Sequence, residues 1–262
     1  MDNEVFEYGV ASGDPTSDGV ILWTRVLGGD GDVPVAWSMA LDPGMRHVVA
    51  TGAAMATADR DRCVSVEVDG LEPATTYWYA FTALGQTSMT GRTRTLPGEG
   101  ASGLRFAFTS CAKFNAGFFN AYDRLADRAD LDLVVHLGDY IYEASNTPPA
   151  SQTPGADIGR PFEPLHECVT LDDYRTRYAQ YQRDPSVQRL RAAHPVVQCA
   201  DDHELADGAW RGGAAEHAAE YGPWEDRVAA AFRAREEWLP IRRPDPNDPT
   251  RVYRSIAVGD LA

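Results

Sequence analysis

Two hydrophobic rhythms run along this chain. Up to about residue 100 the apolar positions come in short runs. Residues 20–23 (VILW) and 35–38 (VAWS) are compact, and residues 63–68 and 77–81 alternate. Such runs predict short strands, and the whole stretch is expected to be all-β. Residues 96–103 (LPGEGASG) carry the Gly and Pro of a linker. Beyond it the rhythm changes. Apolar runs at 104–111 (LRFAFTSC) and 133–137 (LVVHL) flank Phe118, Phe119, Tyr122, Leu125 and Ala126, which recur at helical spacing. Strand, helix, strand is a crossover unit, so the two strands are expected to be parallel. Helices are expected at 171–181 and 187–193, with Thr170 and Asp184 as N-caps, and at 225–238, ended by Pro240. Tyr174, Tyr178 and Tyr181 share one helical face and are expected to pack. So are Trp23, Trp37 and Trp78.

Chemistry gathers where these strands end. The first run closes on Ser110-Cys111, and the second on Gly138-Asp139 with Tyr142 three residues later. A weaker strand at 196–200 runs into Asp201-Asp202-His203-Glu204. Parallel strands place these residues on one rim, where open α/β sheets hold their ligands. A thiol, a phenol, carboxylates and an imidazole together read as a mixed metal site. The hard oxygen donors among them suit a highly charged cation such as Fe(III). Each segment has a plainer reading, since a strand can end in a solvated Asp and an acidic run can cap a helix.

These motifs resemble a known family. GDYIY at 138–142 fits the G-D-x-x-Y motif shared by purple acid phosphatases and PhoD-like alkaline phosphatases, and DDHE at 201–204 looks like the PhoD form of G-N-H-[DE]. Purple acid phosphatases use an Asp on the first strand and PhoD-like enzymes a Cys, as in Ser110-Cys111. Residues 10–26 (VASGDPTSDGVILWTRV), 170–181 (TLDDYRTRYAQY) and 209–214 (AWRGGA) agree with PhoD. GLEP at 70–73 followed by Tyr77-Trp78-Tyr79 resembles the fibronectin type III pattern, in which a Tyr packs over a turn between strands. The implied architecture is a two-domain α+β/α/β fold. A fibronectin-III-like β-sandwich at 1–97 precedes the first half of a metallophosphoesterase αββα domain at 104–262.

The resemblance also implies a chemistry. Cys111, Asp139 and Tyr142 would hold iron(III). Asp139 would bridge to a second ion, calcium in the family, which also takes Asp202. Asp202 is preferred to Asp201 because it aligns with the Asn of G-N-H-[DE], and Asp201 is left as a further metal or phosphate contact. A metal-activated water would hydrolyse phosphate mono- or diesters, with His203 stabilising the transition state or protonating the leaving alkoxide. Gly208 stands where many relatives carry an Asn. The family's later G-D-x-H motif has no counterpart after Glu204, and residues 252–262 look like the strand that opens the second half of its domain. The chain is therefore expected to be incomplete. It would be either active with a second chain supplying the missing C-terminal half, or an inactive fragment or binding module.

Composition narrows the partners. At 262 residues and 44% hydrophobic the chain can fill one or two cores. A net charge of −15, with Lys113 the sole lysine, argues against nucleic acid. No apolar run approaches the ~20 residues of a membrane span. The family implies a periplasmic or secreted enzyme. The first residues, MDNEVFEYG, lack a signal peptide, which would leave the chain in the cytoplasm if this is its native start. Cys63, Cys111, Cys168 and Cys199 show no paired spacing. Cys168 and Cys199 are expected either to pair or to be two buried thiols. The Pro-, Gly- and Ser-rich stretch 145–164 is expected to be a lid or a solvated loop.

Overall fold

One sheet runs through both halves of the sequence. The structure is a computed structural model that describes residues 4–146, 158–245, 247–248 and 250–260. In chain order the strands are β1 (Val10–Gly13), β2 (Gly19–Arg25), β3 (Val33–Ala40), β4 (Val48–Ala56), β5 (Cys63–Asp69), β6 (Thr76–Ala83), β7 (Gln86–Thr87) and β8 (Gly91–Arg94). After them come β9 (Phe106–Thr109), β10 (Leu133–His136) and β11 (Pro195–Gln198). Strands β4, β3, β6 and β7 form an antiparallel sheet, with β8 also on β6. The larger sheet has the order β5-β2-β1-β11-β10-β9. Within it β1 pairs in parallel with β11, Ser12 opposite Pro195 and Gly13 opposite Val196. The expected sandwich therefore does not close on itself, because its β1 edge is used by a strand almost two hundred residues later.

This explains the compact apolar run at 20–23. Alternate residues of β2 face two cores. Val20 and Leu22 join Val35, Met39, Tyr79 and Phe81 between the sheets. Trp23 turns the other way, into a core under the helices with Tyr174, Tyr178, Tyr181 and Trp238. Its indole donates to the Glu237 carbonyl at 2.8 Å. Trp37 and Trp78 are only half-buried: Trp37 packs against the core between the sheets, and Trp78 lies in none of the cores. The buried Tyr77 accepts a hydrogen bond from the Glu72 amide across the preceding turn, at 2.9 Å.

Among the described residues four helices cover one face of the large sheet: α1 (Asn120–Ala126), α2 (Leu171–Gln182), α3 (Pro185–Ala193) and α4 (Trp224–Trp238). Both expected N-caps are in place. Thr170 forms a reciprocal capping box with Asp173, and Asp184 accepts from Ser186 and Val187. The tyrosine stripe of α2 is fully buried. Helix α1 begins two residues later than its apolar spacing predicts, because residues 114–116 form a separate 3-10 turn that ends at an extended Gly117.

Two expectations are corrected. Residues 251–257 form no strand. Side chains anchor this stretch, not a ladder: the Arg254 guanidinium pairs with buried Asp14 at 2.7 Å and donates to the Gln198 carbonyl at 3.1 Å, while Tyr253 is 72% exposed. Cys168 and Cys199 neither pair nor share burial, for Cys199 lies exposed past the end of β11. Of the proposed lid, residues 147–157 lie outside the described residues.

Candidate metal centre

Strand register levels the rim. His136 lies opposite both Thr109 and Gln198. The residues after these three positions therefore leave the sheet along one edge, with the β10 rim in the middle. Two sharp turns follow. Cys111 and Asp139 both adopt left-handed backbone, φ 58° and 55°, a sparsely populated region for residues with a Cβ. Gly138 must be glycine. A Cβ there would stand 2.5 Å from the Cβ of Asp201, so the β10 and β11 rims touch only because it is absent. The β9 rim is tied on by main chain, Cys111 N–H to Gly138 O at 3.2 Å and Ala112 N–H to Asp139 O at 2.9 Å.

Asp139 is the centre of what results. Its Oδ2 accepts from the Tyr142 phenol at 2.9 Å and from the Cys111 thiol at 3.4 Å. Its Oδ1 is buried and without a hydrogen-bond partner. An unpartnered buried carboxylate oxygen is costly, and a cation is the simplest group to satisfy it. Asp139, Asp202 and His203 each offer a ligand atom within 4.8 Å of the others. Two donor sets thus share Asp139: Cys111 with Tyr142 on one side, Asp202 with His203 on the other. His203, expected to stabilise the transition state or protonate the leaving alkoxide, lies within reach of this second set. Asp201 is exposed and contributes no side-chain donor to that set. Gly208, in place of the family's Asn, gives its amide to Asp202 Oδ2 at 2.7 Å.

Electrostatics fit a cation here. Burial pushes the Tyr142 phenol well above its ordinary value, and the hydrogen bond to Asp139 and the Asp139 and Cys111 charges push the same way. A multivalent ion at the same point would reverse these signs and favour the phenolate. His203 behaves oppositely. Burial alone would lower it, but its hydrogen bond to Glu143 and the charges of Glu143, Asp139 and Asp202 raise it to about 9.

Three residues with no task in the sequence reading belong to the site. Buried Glu143 takes His203 Nδ1 at 2.9 Å and the Asp207 amide at 2.5 Å, fixing the ring and leaving Nε2 free. Buried Glu204 accepts three amides of the β10 and β11 rims. Lys113 holds its ammonium 5.5 Å from the centre of the Tyr142 ring, whose centroid lies 4.1 Å from that of His203. Glu143 carried a weak signal, an acid closing an apolar run, but nothing local pairs it with a histidine sixty positions on.

Fold and site together define an α/β protein with a candidate metal pocket at the carboxyl edge of its parallel strands. The chain belongs to the PhoD-like phosphatase family: the family profile matches residues 106–262, and that of the PhoD-like phosphatase N-terminal domain matches residues 1–97. It is 40% identical over 269 aligned residues to alkaline phosphatase D of Bacillus subtilis (strain 168), covering 98% of this chain and 45% of that protein. A solved structure of PhoD superposes with a TM-score of 0.89 at 38% identity, over 100% of this chain and 51% of that one. The chain thus spans about half the length of the relatives it matches. No helix among the described residues is long and apolar enough to cross a membrane.

Proposed function

We propose that this chain carries the metal centre of a phosphate-ester hydrolase of the alkaline phosphatase D type. The observation that carries the reading is the convergence on Asp139: two donor sets share one carboxylate whose second oxygen has no other partner. Cys111, Tyr142 and Asp139 would hold iron(III), and Asp139 with Asp202 would hold a second ion, calcium by family. Bound there, the ions would supply Lewis acidity toward phosphoryl oxygens and a lowered pKa for water. His203 is held through Nδ1 by Glu143, and its Nε2 would face a leaving alkoxide and protonate it rather than ligate an ion. Asp201 is kept as a further metal or phosphate contact through its exposed side chain, its amide being committed to Glu204 at 2.8 Å.

The proposal includes the division into a sandwich domain at 1–97 and a phosphoesterase domain at 104–262, a periplasmic or secreted location, and monoesters or diesters as substrates. Coverage of about half of each relative favours a second reading. In it this chain holds metal but is inactive until residues beyond it, or on a second chain, complete the site. One experiment separates the two. The chain is purified after growth with iron and calcium, its metal content is measured by elemental mass spectrometry, and p-nitrophenyl phosphate and its bis-ester are assayed before and after chelation. Metal-dependent hydrolysis, lost with the iron in Cys111→Ser, is the expected result. Bound iron without hydrolysis supports the second reading, and no bound iron overturns both.

A further inference from the structure

Glu204 is 4% exposed, and all its hydrogen bonds are to main chain. Oε2 accepts from Asp139 N–H at 3.1 Å and Asp201 N–H at 2.8 Å, and Oε1 from Tyr140 N–H at 2.6 Å. One carboxylate thus spans the rim that carries Asp139 and the rim that carries Asp202. The third rim is reached through the Asp139 peptide, whose carbonyl accepts from Ala112. We infer that Glu204 is the positioning residue of this pocket, setting the separation of the two donor sets without touching an ion itself. The inference rests on reading the site as a metal centre.

Two physical points support it. Asp139 sits at φ 55°, a conformation that persists only when its surroundings over-determine it. The two amide bonds from Asp139 and Tyr140 to one carboxylate do that. The acceptor must also be acceptor-only. A carboxylate offers lone pairs on both oxygens, whereas an amide of the same shape turns N–H toward at least one of the three donors. No ion pair to Glu204 forms among the described residues. Burial pushes its carboxyl up, and the three peptide N–H groups together with the charge of Arg235 partly offset this.

The test compares the wild type with Glu204→Gln and Glu204→Ala, each titrated with calcium chloride and with iron(III) citrate. Affinity is read by calorimetry and the iron site by its visible phenolate band. The Gln variant is expected to fold and to bind metal roughly 10- to 100-fold more weakly, with a shifted band, and the Ala variant to be weaker still. A folded Gln variant with wild-type affinity and band overturns the inference and leaves the metal reading intact. A wild type that takes up neither ion overturns both. Should both variants fail to fold, amide exchange in the wild type decides. Slow exchange at Asp139, Tyr140 and Asp201 supports the inference, and fast exchange there overturns it.

Discussion

His136 shows how a single side chain can set an acid limit. Burial in β10 pushes it down from 6.5 to about 4. Nδ1 accepts from the Gly138 amide at 3.4 Å, so Nε2 carries the proton toward the Tyr122 hydroxyl at 2.9 Å. Between pH 6.5 and 4 the unfolded chain binds a proton at this position that the folded chain refuses. Stability therefore falls as pH drops through that window, by up to about 3 kcal/mol from this group. Urea unfolding at pH 7 and pH 5 should show the gap between wild type and His136→Gln shrinking by about 2 kcal/mol at the lower pH. An unchanged gap would assign the acid sensitivity elsewhere. Residue types at the site were legible in the sequence, since Cys111, Asp139, Tyr142, Asp202 and His203 all follow strand ends. Their second contacts were not. The bonds of Glu143 and Glu204 depend on turns whose left-handed backbone no local pattern announces.

Elements were legible where the signal is local. The strands β2, β3, β5, β6, β9, β10 and β11, the three longer helices and both caps follow from spacing and from Thr170 and Asp184, whereas β1, β4, β7 and β8 were not anticipated. Asp184 also pairs with Arg160 at 2.8 Å in a largely buried setting. Asp184→Ala removes the cap of α3 and leaves that guanidinium without its partner. We expect a loss of about 1–2 kcal/mol, read by chemical denaturation. Ser186→Ala lacks both consequences and should cost less. The strand expected from the resemblance at 252–262 is absent from 251–257, where Arg254 ties the chain down through Asp14. Ladder pairing is a tertiary property, and a short apolar run does not reveal whether an edge is free to receive it.

At the scale of the molecule the sequence suggested two bodies joined by a linker, and it could not show that β1 reaches β11. Links beside that pairing include Trp23 to Glu237 and Arg242 to Glu67 at 2.7 Å. The two halves should therefore melt together. Calorimetry is expected to give one cooperative transition, and two separated transitions would show that the shared sheet contributes little. The placement of Lys113 has a practical side. An amine-directed acylating reagent has only this side chain and the terminal amine to modify, and the side chain stands against the Tyr142 ring. The rate at which Lys113 is acylated then becomes a chemical gauge of whether the adjoining pocket is filled, readable in a mass spectrum without any substrate turning over.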